Sequence, residues 1–136
     1  MIFRPACDSH RMALAPDVSA RRLALFLAGS GVMHFAVPKF YDQLIPEQLP
    51  GSARAWTLGS GVVEIATGAV VANPRTRRLG GLAAALLFIG VFPANIKAVV
   101  DANRGPAPAA LKIGTILRLP LQWPMITWAM RVRAQS

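Results

Sequence analysis

The side chains that could do chemistry in this chain are few and widely spaced. They are His34, Glu64, Asn95, Lys97, Arg118 and Gln122, and each interrupts a stretch that is otherwise apolar. A carboxylate, a guanidinium, an imidazole and two carboxamides can hold and orient a polar group, and Glu or His can relay a proton. Other chemistries are excluded by residue type. Two histidines without an acidic or cysteine cluster do not make a metal site. Cys7 is the single cysteine, which rules out an intramolecular disulfide and a CxxC motif. It reads as a tail thiol. No residue is assigned a catalytic role, no covalently bound cofactor is expected, and independent enzymatic activity is not expected.

What must position these groups is a set of helices in a bilayer. Hydrophobic residues make up 54% of the 136 residues and charged residues only 15%, with a mean hydropathy of +0.42. Soluble domains carry about 25% charged residues. A helix needs about 20 mainly apolar residues to cross the hydrocarbon. Four segments meet or nearly meet that length: 18–37, 55–72, 79–100 and 113–130. The expected fold is therefore an all-α membrane protein, a four-transmembrane-helix antiparallel bundle spanning residues 18–130. Residues 1–17 and 131–136 are expected to be cytoplasmic tails, the first poorly ordered, with Met12 an alternative start. Asp17 is the expected N-cap of the first span. A soluble bundle is disfavoured because its surface helices need a polar face, and the third segment shows none before Asn95.

The connections and charges fit. Asn73-Pro74-Arg75-Thr76-Arg77-Arg78 is a tight basic turn, and residues 101–112 form a loop rich in helix breakers. Residues 38–54, with Phe40, Tyr41, Leu44, Ile45 and Leu49 among three prolines, suit a segment lying along the outer interface. With the N-terminus inside, the cytoplasmic segments carry nine Lys and Arg (Arg4, Arg11, Arg21, Arg22, Arg75, Arg77, Arg78, Arg131, Arg133). The outer loops carry four (Lys39, Arg54, Arg104, Lys112). The positive-inside rule then places both termini in the cytoplasm. The net charge of +9 is an orientation signal and a means of contacting anionic lipid heads, not a nucleic-acid footprint.

At about 1.5 Å of rise per residue, Arg118 lies about 9 Å and Glu64 about 13 Å below the outer end of their spans, and Asn95 about 9 Å. All the polar groups therefore fall in the outer half. An unpaired charge at mid-bilayer costs about 2.5–3.5 kcal/mol. Glu64 and Arg118 are thus expected to form a buried ion pair, with Gln122 one turn below Arg118. That pair reads equally as an architectural lock on helix register or as part of a ligand site. Asn95 and Lys97 point in nearly opposite directions; Asn95 is expected to face inward and Lys97 to pair with Asp101. His34 reads more readily as a hydrogen-bonded packing residue than as a proton carrier. Gly31, Gly61 and Gly68 mark faces where helices approach closely. Pro93, Pro120 and Pro124 each remove an amide donor and can leave a carbonyl free for a ligand or neighbour.

The same residues carry a resemblance. His34-Phe35 with Pro38, Tyr41 and Ile45-Pro46, then Gly61-x-x-Glu64 with Gly68, then Phe92-Pro93-Ala94-Asn95-Ile96, then Arg118-Leu119-Pro120-Leu121-Gln122 with Trp128, resemble in order and spacing the DoxX-like family of small four-helix membrane proteins. The resemblance covers roughly residues 22–130. It implies a four-helix membrane bundle and association with membrane or membrane-associated redox systems. The function expected is a membrane subunit binding a quinone or similar amphiphile, lipid included, through His34, Glu64, Asn95, Arg118 and Gln122. The alternative is an assembly or scaffolding protein binding other membrane proteins through its helices. Expected partners are the lipid bilayer, a membrane redox protein and further copies of the chain, without nucleic acid. A transporter or channel is disfavoured, since four short helices leave little room for a pore. The expected location is the inner (plasma) membrane.

Overall fold

A computed structural model describes the backbone from Asp8 and the side chains from Asp17 onward. Among the described residues the chain is all-helical: α1 (Asp8–Ala36), α2 (Pro38–Asp42), α3 (Ala53–Ala72), α4 (Arg77–Gly90), α5 (Phe92–Arg104) and α6 (Ala109–Ala134). Local chemistry sets the boundaries. Gly51 takes a positive φ of 87° ahead of Ser52, whose extended backbone and side chain cap α3 by accepting from the Ala55 amide at 3.2 Å. Asn73-Pro74 ends α3, since a proline cannot continue its ladder. Gly105-Pro106 likewise closes α5, and α6 begins directly after Pro108. α6 then runs unbroken through Pro120 and Pro124.

α4 and α5 are one kinked rod. Val91 interrupts it with φ −84° and ψ −2°, two residues before Pro93. Pro93 has no N–H for the Ile89 carbonyl, and its ring crowds that carbonyl. The ladder resumes across the kink, with Asn95 N donating to Val91 O at 3.1 Å.

Two differences from the sequence reading concern α1. The stretch before residue 18, expected to be poorly ordered, is helical from Asp8, and residues 1–7, including Cys7, lie outside the described residues. Asp17 is therefore well inside α1 rather than its N-cap. Its carboxylate instead accepts from Arg21 and Arg77, both at 2.9 Å.

The helices pack in two antiparallel pairs. α1 runs against α3, with Gly31 opposite Gly61 and Ala24 opposite Gly68. Side chains do not fit there: a Cβ on Gly31 would stand 2.7 Å from the Gly61 carbonyl oxygen, and one on Gly68 2.9 Å from that of Ala24. α4 runs against α6 in the same way, a Cβ on Gly81 meeting the Arg133 backbone at 2.8 Å. α3 packs on α4 across the turn at 73–76 and joins the pairs. Their common core lies at one end of the bundle, formed by Leu23, Leu27, Val71, Ala84, Ala85, Phe88, Ala129 and Val132.

The surface is the reverse of a soluble protein's. Large apolar side chains are exposed on every long helix, among them Leu25, Val62, Leu86 and Leu117. His34, Glu64, Asn95 and Gln122 are buried. Two rods, Ala53–Ala72 and Arg77–Arg104, are long and apolar enough to cross a membrane. α1 and α6 are as long, but Arg21 and Arg22 interrupt the first and Arg118, Gln122 and two prolines the second.

Candidate functional site

The polar residues lie, as their depths require, beyond the apolar core, but they form two groups rather than one. The first stands between α1 and α3. His34, in the last turn of α1, donates from Nδ1 to the Ser30 carbonyl at 2.9 Å. The same nitrogen is 3.6 Å from Glu64 Oε2. Gly31 and Gly61 bring the helices close enough for that meeting. Tyr41 of α2 lies flat on the imidazole, with ring centroids 3.8 Å apart.

The second group stands between the kinked rod and α6. Asn95 Nδ2 donates to Gln122 Oε1 at 2.9 Å, and Gln122 Nε2 donates to the Phe88 carbonyl beside the kink. The carbonyl that Gln122 reaches is that of Phe88, one residue before the Ile89 carbonyl that Pro93 leaves without a donor. Asn95 is buried, while Lys97 bonds to Asp101 and to the Gln43 carbonyl, tying α5 to the end of α2.

Arg118 belongs to neither group. The expected Glu64–Arg118 ion pair is not formed: Glu64 faces His34, and no carboxylate among the described residues comes within 4.0 Å of the Arg118 guanidinium. The physical reason is neighbour order. Matching depth and opposite charge say nothing about which helices touch, and α6 packs on α4 and α5 rather than on α3. Arg118 acts on Glu64 and Tyr41 only through space.

Arg118 instead lines a pocket of about 390 Å³. Phe40 of α2, Leu44 just after it, Ala98 and Ala102 of α5, and Leu111 of α6 make most of its wall apolar; Asn95, Thr115 and Arg118 supply polar atoms. Asp101 at the rim is already bonded to Lys97. Three of the expected donor side chains, those of His34, Asn95 and Gln122, are engaged within the protein. Arg118 is exposed and lines the pocket.

Sequence reasoning missed Tyr41 as a member of this region. It had been read only as part of an interfacial segment. Burial, and then the Glu64 carboxylate, push its hydroxyl above the ordinary 10.0, while Arg118 pulls it back. Its position, three residues after Pro38 and just past the end of α1, was the available signal. Near it, Arg54 bonds Asp42 at 2.9 Å and holds that carboxyl below its usual range.

These features define a helical protein with an apolar core, buried polar groups beyond it, exposed apolar side chains and a mainly apolar pocket lined by Arg118. Residues 23–133 match the family model described as a domain of unknown function (DUF8561), and the chain belongs to that family. No curated protein and no solved structure matches it. The DoxX-like resemblance is thereby overturned. Its motifs have local physical explanations here: Gly61 and Gly68 admit α1, Pro93 kinks the third rod, and Gln122 caps the carbonyl beside that kink. Such motifs report packing demands that unrelated membrane helices share.

Proposed function

We propose that the protein is a multi-pass protein of the inner (plasma) membrane whose four rods, α1, α3, α4–α5 and α6, all span the bilayer with both termini cytoplasmic. It binds an amphiphile in the pocket at its outer end, with Arg118 holding a head group that accepts hydrogen bonds. A quinone carbonyl and a lipid carboxyl or phosphate share that chemistry. The carrying observation is the state of the donors. Those of His34, Asn95 and Gln122 have protein partners, whereas Arg118 lines an apolar cavity of ligand size and makes no ion pair among the described residues. Support for four spans comes from apolar exposure on all four rods and from polar side chains turned inward, Asn95 to Gln122 and His34 toward Glu64.

Native mass spectrometry of gently extracted protein tests this reading. We expect a retained amphiphile of defined mass, and Arg118→Gln to lose it while eluting as a folded species. An empty bundle holding a stoichiometric protein partner would reject the pocket in favour of scaffolding.

A further inference from the structure

The opposite end of the bundle carries an unbalanced charge. Among the described side chains there, seven arginines (Arg21, Arg22, Arg75, Arg77, Arg78, Arg131, Arg133) stand against Asp17. Asp17 is taken by Arg21 and Arg77. The remaining guanidiniums have no carboxylate within 4.0 Å among the described residues.

Two of them share a cavity. Arg78, at the start of α4, and Arg133, at the end of α6, line a pocket of about 320 Å³ together with Met130, Ala134 and Ser136. The close approach at Gly81 brings the Arg133 backbone against α4, and the two arginines line one pocket. The first turn of α4 has no side-chain cap, and the Thr76 hydroxyl donates to the Val70 carbonyl. Met130, which lines the pocket, is 41% exposed, and Leu79, next to Arg78 in α4, is 64% exposed. A basic pocket with an apolar flank between two membrane helices fits a molecule with an anionic head and acyl chains.

We propose that the Arg78–Arg133 pocket binds the phosphate head of an anionic phospholipid from the cytoplasmic leaflet. This rests on the membrane reading above but not on the Arg118 pocket. The acyl chains lie along Leu79 and Met130, and the phosphate accepts from both guanidiniums. A lipid rather than a free anion is favoured because Met130 places an exposed apolar side chain in the same pocket as the two arginines.

The test is native mass spectrometry of the full chain in nanodiscs containing phosphatidylglycerol and phosphatidylcholine. We expect phosphatidylglycerol to be retained preferentially. Arg78→Gln and Arg133→Gln should each weaken retention about fivefold, corresponding to about 1 kcal/mol per basic residue near the membrane surface. Arg131→Gln removes the same charge from the same helix outside the pocket and should change retention little. Equal weakening by Arg131→Gln would show a diffuse charge effect and overturn the site, as would equal retention of the two lipids. Displacement of phosphatidylglycerol by millimolar inorganic phosphate would show a site for small anions instead. Should Arg133→Gln fail to fold, Arg78→Gln, on an exposed side chain, decides alone. Failure of the membrane reading looks different: a monodisperse wild-type chain without detergent or lipid.

Discussion

Removing the Arg77 guanidinium should loosen the end of the bundle where α1, α3 and α4 meet, and the structure sets the size of the effect. Arg77 begins α4, yet its side chain is only 10% exposed. Nη2 donates to Asp17 Oδ1 of α1 at 2.9 Å and to the Ala72 carbonyl at 3.4 Å, and Nε donates to the Val71 carbonyl at 3.2 Å. One side chain therefore joins three helices and places a cation at the C-terminus of α3, where the helix dipole favours it. A charge-assisted hydrogen bond contributes about 1.5–3 kcal/mol and the dipole about 0.3–1 kcal/mol. Breaking a fully buried pair costs about 3–5 kcal/mol. The Asp17 side chain is 29% exposed and keeps Arg21. Arg77→Met, which retains the aliphatic stem, should thus cost about 2–4 kcal/mol. Asp17→Asn should cost about 1–2 kcal/mol, because Arg77 retains its two carbonyls. The double variant should fall short of the sum by about 1 kcal/mol or more. Reversible unfolding in mixed micelles, followed by far-UV circular dichroism, measures all three. Additivity within about 0.5 kcal/mol would refute the direct coupling of α1 to α4.

Tyr41 is the only tyrosine, so absorbance at 295 nm titrates it alone. It should ionise above 10.0. Glu64→Gln should bring the transition down, since a carboxylate opposes tyrosinate, and Arg118→Gln should move it up. Because the folded state holds this proton more tightly, the stability it contributes is complete below pH 10.0 and is lost as pH rises through the folded transition; an unshifted transition would place Tyr41 in solvent. Two glycines of α3 should respond with opposite sign. A Cβ on Gly61 would meet His34 Cβ and the Gly31 carbonyl oxygen at 2.9 Å, whereas Gly59 has nothing within 4 Å. Gly61→Ala should cost about 1–3 kcal/mol from overpacking and Gly59→Ala should gain about 0.5–1 kcal/mol from helix propensity. Thermal unfolding of the two variants checks the signs.

Helix positions were legible because hydrophobic length, prolines and Gly-Pro pairs act locally. Pro93 announced the break at Val91, and the tight turn at 73–76 announced that α3 and α4 are neighbours. The glycine faces at Gly31, Gly61 and Gly68 announced close contact, although not with which helix. Neighbour order was the information missing. Depth along a span placed Glu64 and Arg118 at similar heights, but charge complementarity acts only between helices that packing has already joined. His34 reached Glu64 because two facing glycines let α1 and α3 approach. Arg77 was read as one orientation charge among many. Its burial depends on the Val71 and Ala72 carbonyls and on Asp17, which is 60 residues away in sequence.

The kinked rod is also a ruler. On the membrane reading, the 20 residues of α3 extend about 30 Å, the thickness of the hydrocarbon, whereas the 28 residues of Arg77–Arg104 extend about 42 Å. The surplus of about 12 Å has to be absorbed by tilt or by projection past the acyl chains. The bend at Val91 falls about midway along the rod, and the polar groups Lys97, Asp101 and Arg104 sit on the outer half, where projection suits them. The rim of the Arg118 pocket, which includes Asp101, Ala102 and Gly105, then stands among head groups while Arg118 remains deeper. An amphiphile would enter head first from the interfacial layer, rather than sideways from the middle of the bilayer.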